Sequence, residues 1–178
     1  QQLWLQERSG RLRQLTFDGN ADVVYGGAAH RAEFGITRGL FWSGDGRFVA
    51  FHSGSFTLAG GDTNGTSDVF VRDRLLGTTV LASVAPSGGS GNSLSGWAAL
   101  SADGNCVAFS SLASDLAPGD TNNTTDVYVR DLAAGTSERV SLSGALAQGD
   151  GYSTFPSISA DGRFVAYQSV ATNLVAGD

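Results

Sequence analysis

One cysteine, three prolines and no methionine occur in 178 residues, and charged side chains make up only 16% of them. The lone Cys106 cannot close an internal disulfide, nor by itself build a cysteine-rich zinc site. It falls in the run CVAF, where sister stretches carry Phe48 and Phe164, and is read as a small buried apolar side chain. The net charge is −6 with no Lys/Arg cluster, which argues against nucleic acid and against anionic membrane surfaces as partners. No apolar run approaches the ~18 residues of a spanning helix, so no membrane span is expected. No charged and apolar leader opens the sequence, so any signal peptide is expected to be already removed or to lie outside these residues. Histidine occurs only at His30 and His52, and no G-x-S-x-G elbow is present. His52 ends a strand where its counterparts are Ser110 and Gln168, which reads as surface. The chain is therefore expected to be non-catalytic.

Glycine, by contrast, occurs 25 times, and the sequence repeats itself. SGDGRFVAFHS from Ser43, SADGNCVAFSS from Ser101 and SADGRFVAYQS from Ser159 lie 58 residues apart (101 − 43 and 159 − 101). GDTNGTSDVFVRD at 61–73 and GDTNNTTDVYVRD at 119–131 keep the same register. A fixed period of this size means an array of one supersecondary unit.

The unit reads as all-β. Asp-Gly at 45–46, 103–104 and 161–162 marks a tight hairpin, because glycine tolerates positive φ. A short strand precedes it (GLFWS, WAALS or FPSIS). A continuous apolar run follows (RFVAF, CVAFS or RFVAY), which implies burial on both faces. DVFVRD or DVYVRD supplies a third strand, and TTVLASV or TSERVSL a fourth, entered through turns at Gly77 and Gly135. Small residues such as Ala98 and Ala99 suit positions near a central axis. Four strands per repeat, sandwiched between neighbours, predict the blade of a β-propeller. The expected divisions are a half-blade at 1–16, a long linker at 17–38, blades at 39–84 and 97–142, and a half-blade at 155–178. That is three blades' worth, two complete and two complementary halves. Closed propellers typically hold about four to eight blades. The expectation is therefore a fragment of a longer propeller, or two chains forming a six-bladed homodimer.

The repeated loop raises a question of chemistry. Asp62, Asn64 and Asp68, and again Asp120, Asn122 and Asp126, place oxygen side chains at steps one, three and seven, as a loop wrapping Ca2+ would. The same residues also suit Asx turns where a loop enters a strand, and both readings stand at this stage. Asn64-Gly-Thr and Asn122-Asn-Thr also fit a glycosylation acceptor. A second candidate surface is the linker, since extra loop length on a rigid scaffold is where binding concentrates. Tyr25, His30, Arg31, Glu33 and Phe34 are its expected partner-contacting residues. Trp4, Trp42 and Trp97 are read as blade packing, with a sugar platform as the alternative.

The pattern S-A-D-G-R-F-V-A-[FY]-x-S, followed by D-V-[FY]-V-R-D, resembles the WD-like repeats of TolB-type propellers, and RQLTFDGNA at 13–21 is similar to the fourth strand and linker of that group. The resemblance implies a periplasmic or secreted, bacterial-type propeller that binds a protein partner or supports a larger complex. Residues 21–51 resemble, more locally, the propeller of dipeptidyl peptidase IV-type peptidases. There, paired glutamates hold the substrate's amino terminus; here Gly26 and Gly27 stand in their place and only Glu33 follows. Two alternatives to a scaffold therefore remain: a substrate-gating propeller of a peptidase whose catalytic domain lies elsewhere, and a calcium-dependent carbohydrate-binding module.

Overall fold

A computed structural model describes residues 4–6, 12–14 and 40–177. All regular structure among them is β, with no helix long and apolar enough to cross a membrane. Twelve strands follow in order: β1 (Trp4–Gln6), β2 (Leu12–Gln14), β3 (Phe41–Trp42), β4 (Phe48–Ser53), β5 (Asp68–Asp73), β6 (Thr78–Leu81), β7 (Ser95–Leu100), β8 (Cys106–Ser111), β9 (Asp126–Asp131), β10 (Thr136–Arg139), β11 (Ser153–Ile158) and β12 (Val165–Ser169). Strands β3 to β6 form one antiparallel four-stranded sheet and β7 to β10 a second, each an up-and-down meander in sequence order. Strands β1 and β2 pair with each other, as do β11 and β12. The expected all-β architecture of four-stranded antiparallel blades is thus present. The linker 17–38, with Tyr25, His30, Arg31, Glu33 and Phe34, lies outside the described residues.

The apolar runs fill the blade interiors as their continuity implies. Val49, Ala50 and Phe51 of β4, and Val107, Ala108 and Phe109 of β8, are all buried. Phe51 stacks on Phe70 at 5.8 Å, and the matching pair Phe109 and Tyr128 stacks at 5.9 Å in the next blade.

Each Ser-x-Asp-Gly segment is a self-contained clasp. The hydroxyls of Ser43, Ser101 and Ser159 donate to Asp45, Asp103 and Asp161 at 2.5–2.6 Å. The same carboxylate oxygens accept the backbone N–H two residues on, and the serine oxygens accept those of Phe48, Cys106 and Phe164. The loop therefore has four residues between its closing pair, Ser43 and Phe48, rather than the two of the tightest hairpin.

These turns also join the blades. Gly44 N–H donates to the Ala102 carbonyl, and Ala102 N–H in turn to that of Ala160. Gly104, at φ +76°, faces the Phe48 ring so closely that a Cβ there would stand 2.2 Å from it. Gly162 meets Cys106 in the same way, which explains why that column accepts either phenylalanine or a half-buried cysteine.

Two features depart from the sequence reading. His52 does not stand on an open blade surface: it packs against Gly96 of β7, with Nδ1 buried and without a hydrogen-bond partner, and burial lowers its pKa. The matching contact in the next blade joins Ser110 to Thr154. The inner strands β7 and β11 are bulged, with Trp97 and Phe155 at φ +49° and +53°, and these two rings meet edge to face at 5.7 Å.

Candidate functional site

The two Asp/Asn loops enter β5 and β9, and much of each is turn architecture. The Asn64 side-chain oxygen accepts the backbone N–H and hydroxyl of Thr66, and its amide donates to the Gly91 carbonyl at 2.7 Å. Asn122 does the same with the Thr124 N–H and the Gly149 carbonyl. Each asparagine thus caps its own turn and ties it to the loop before the next blade, so its oxygen is committed to the backbone. Asp68 and Asp126 are also anchored alike. One oxygen of each accepts the hydroxyl of Ser83 or Ser141 at 2.5 Å, and that serine accepts the N–H of Val69 or Val127.

The loops differ where the two aspartates face each other. In the second blade, the Arg139 guanidinium lies between them, 3.2 Å from Asp120 and 3.5 Å from Asp126, with all three side chains buried. The Tyr128 hydroxyl donates to Asp120 in a very short hydrogen bond, and the Asn122 amide donates to Asp126 at 3.0 Å. Arg139 also reaches the Gly119 carbonyl and the Gln148 side chain. In the first blade, β5 pairs Phe70 with Leu81 where β9 pairs Tyr128 with Arg139. The hydroxyl and the guanidinium are therefore both replaced by hydrocarbon. Asp62, 7% exposed, has neither oxygen hydrogen-bonded, and the wholly buried Asp68 has Oδ2 without a partner. The Asn64 amide faces Asp68, and its N–H faces Asp62, but neither closes a hydrogen bond of normal geometry.

The electrostatics follow this difference. Burial pushes Asp68 up to about 6; the Ser83 hydroxyl and the Asn64 amide offset part of that, and the Asp62 charge adds to it. Burial likewise raises Asp62. Asp126 is raised by burial and by Asp120, against the lowering effects of Ser141, Asn122 and Arg139. Among the described residues no third acid, histidine or cysteine joins either pair.

Sequence reading singled out the acids but missed the residues that make the copies unequal. Arg139 in the column of Leu81, and Tyr128 in that of Phe70, were visible as repeat mismatches. They became meaningful only once strand pairing placed them over the loop.

Several solved structures share the architecture. TolB from Acinetobacter baumannii matches at 19% identity with a TM-score of 0.53, over 98% of this chain and 36% of its own. A putative TolB from Agrobacterium tumefaciens matches at 14% and 0.53, over 99% of this chain and 52% of its own. Dipeptidyl peptidase 4 from Porphyromonas gingivalis matches at 15% and 0.53, over 98% of this chain and 29% of its own. The chain spans about a third to a half of the length of these proteins. A family model described as the dipeptidyl peptidase IV N-terminal region matches residues 1–54. At these identities the likeness concerns fold: the chain is built like a TolB-type propeller, with a narrower similarity to the dipeptidyl peptidase IV N-terminal region.

Proposed function

We propose that this chain is a non-catalytic β-propeller module, located outside the cytoplasm, that serves as a scaffold for a protein partner or a larger assembly. The observation that carries this reading is the face of the β11–β12 sheet. Positions covered by the neighbouring blade in the first two blades are open in the last: Ala50 and Ala108 are fully buried but Ala166 is exposed, and Phe48 and Cys106 are half-buried but Phe164 is 65% exposed. Val170, which the strand alternation places on the same face, is also exposed. A patch of this kind is a docking face, suited to a further blade from elsewhere in the polypeptide or from a partner chain, including a second copy completing a six-bladed ring. The location outside the cytoplasm rests on the TolB-type resemblance. The mass of the native particle tests the reading: a longer polypeptide or a complex is expected, and a stable particle of one 178-residue chain would refute it. Replacing residues 24–33 with a short linker should abolish partner binding; unchanged binding would remove the linker as the contact surface.

The match of residues 1–54 to the dipeptidyl peptidase IV region favours a second reading, a propeller that gates substrate to a separate hydrolase domain. Release of dipeptides by the native protein would support it, and inactivity on a dipeptidyl substrate panel would leave the scaffold.

A further inference from the structure

We propose that the first-blade loop binds one hard divalent cation of the calcium type through the carboxylates of Asp62 and Asp68, and that the second-blade loop does not, because the Arg139 guanidinium takes the cation's place there.

The second blade serves as an internal reference. There, a positive group sits between two buried carboxylates, and the fold has kept those carboxylates in both blades. In the first blade the register of β5 and β6 substitutes Leu81 for the guanidinium and Phe70 for the tyrosine hydroxyl. No described cationic side chain reaches Asp62 or Asp68, and three of their four carboxylate oxygens have no hydrogen-bond partner. Two buried carboxylates that feel each other's charge and have no counter-charge are costly, because like charges out of water repel and each loses hydration. A divalent cation balances both charges with oxygen ligands, which calcium favours in flexible loops. Asn64 is not among the ligands, since its side-chain oxygen is held by Thr66. With no third acid among the described residues, the other coordination positions fall to backbone carbonyls and water.

This assignment narrows the two symmetrical loops of the sequence reading to one. It is independent of the scaffold reading, so either can fail alone.

The test is stoichiometry at physiological salt, on chelator-treated full chain, with calcium by calorimetry and terbium luminescence as a second readout. The wild type should bind one equivalent, and its Tm should rise with calcium relative to chelator, because a ligand of the native state stabilises it. Asp62→Asn should bind none, and Asp120→Asn should keep the one equivalent. The double variant Leu81→Arg with Phe70→Tyr installs the arrangement that already folds in the second blade. It should remain folded, bind no calcium and have a calcium-independent Tm, so it carries the test even where Asp62→Asn misfolds. Absence of binding by the wild type, retention of the equivalent by Asp62→Asn, or two equivalents in the wild type would each overturn the proposal.

Discussion

Gly104 is held by two constraints, and its neighbours in the repeat show what each is worth. Its φ of +76° lies in the left-handed region, which costs an L side chain about 1–2 kcal/mol. A Cβ would also overlap the Phe48 ring. Gly65 has a comparable φ of +70° but open space around it. Gly65→Ala should therefore cost only the backbone strain, while Gly104→Ala should cost more, by roughly 1–3 kcal/mol of overpacking. Denaturant unfolding of the two variants measures the gap; equal losses would mean that the ring moves aside freely. Arg139 offers a second test at this scale. Its carboxylate partners Asp120 and Asp126 are 3% and 0% exposed. Arg139→Leu leaves them buried without a counter-charge, which should cost about 3–5 kcal/mol. The reverse change, Leu81→Arg, meets two waiting carboxylates and should be tolerated far better. Thermal unfolding of the pair checks the asymmetry, which no reading of the loops as plain turns predicts.

At the scale of the element, the Ser-x-Asp-Gly clasp links sequence to pH response. Hydrogen bonds from the preceding serine, and then from the backbone, hold Asp45, Asp103 and Asp161 below the ordinary carboxylate value. Asp73 is lowered chiefly by Arg47, whose guanidinium lies 2.6 Å away. A depressed native pKa contributes stability above the unfolded value of 3.8, and that stability is lost as pH falls through the native value. Asp68, raised to about 6, acts the other way: its contribution to stability grows as pH falls from about 6 toward 3.8, so it offsets the trend above about pH 4 and leaves the limb below that to the depressed groups. Tm should therefore fall below about pH 4, and Ser101→Ala, which brings the native Asp103 value nearer its unfolded one, should lower Tm at about pH 6 and make that limb shallower. A melting series from about pH 3 to about pH 6 shows whether it does.

The same clasp explains what was legible in advance. Asp-Gly, the apolar runs and the 58-residue period located strands and turns because each is a local signal repeated along the chain. The bulges at Trp97 and Phe155 gave no such signal. Nothing in an aromatic residue's identity announces positive φ, a conformation costing roughly 1–3 kcal/mol that only the packed sheet imposes. The contact of His52 with Gly96 was hidden for a related reason, since variation within a column looks like exposure when it is covariation across blades. Gly96 makes room for the imidazole where Thr154 meets the smaller Ser110.

For the whole molecule, the blade-to-blade joint is one contact used repeatedly: a turn glycine of one blade against the residue after the turn of the preceding blade. Phe48 receives Gly104, Cys106 receives Gly162, and Phe164 presents the same surface outward. Substitutions in this one column should therefore separate folding from assembly. Phe48→Ser removes a ring packed between two blades and should lower the Tm of the isolated chain by several degrees, since each 1 kcal/mol is worth about 2–4 °C at this size. Phe164→Ser changes an exposed side chain and should leave that Tm nearly unchanged, within the roughly 0.5 kcal/mol typical of surface changes. In the native particle the order reverses. If a further blade sits on β12, Phe164→Ser loses the ring that the incoming turn glycine packs against, and native mass spectrometry or sedimentation should show its assembly dissociating at lower protein concentration than the wild type. An assembly equally stable in the Phe164→Ser variant would mean that this column is not the joint, and that the exposed face of β11–β12 serves some contact other than blade stacking.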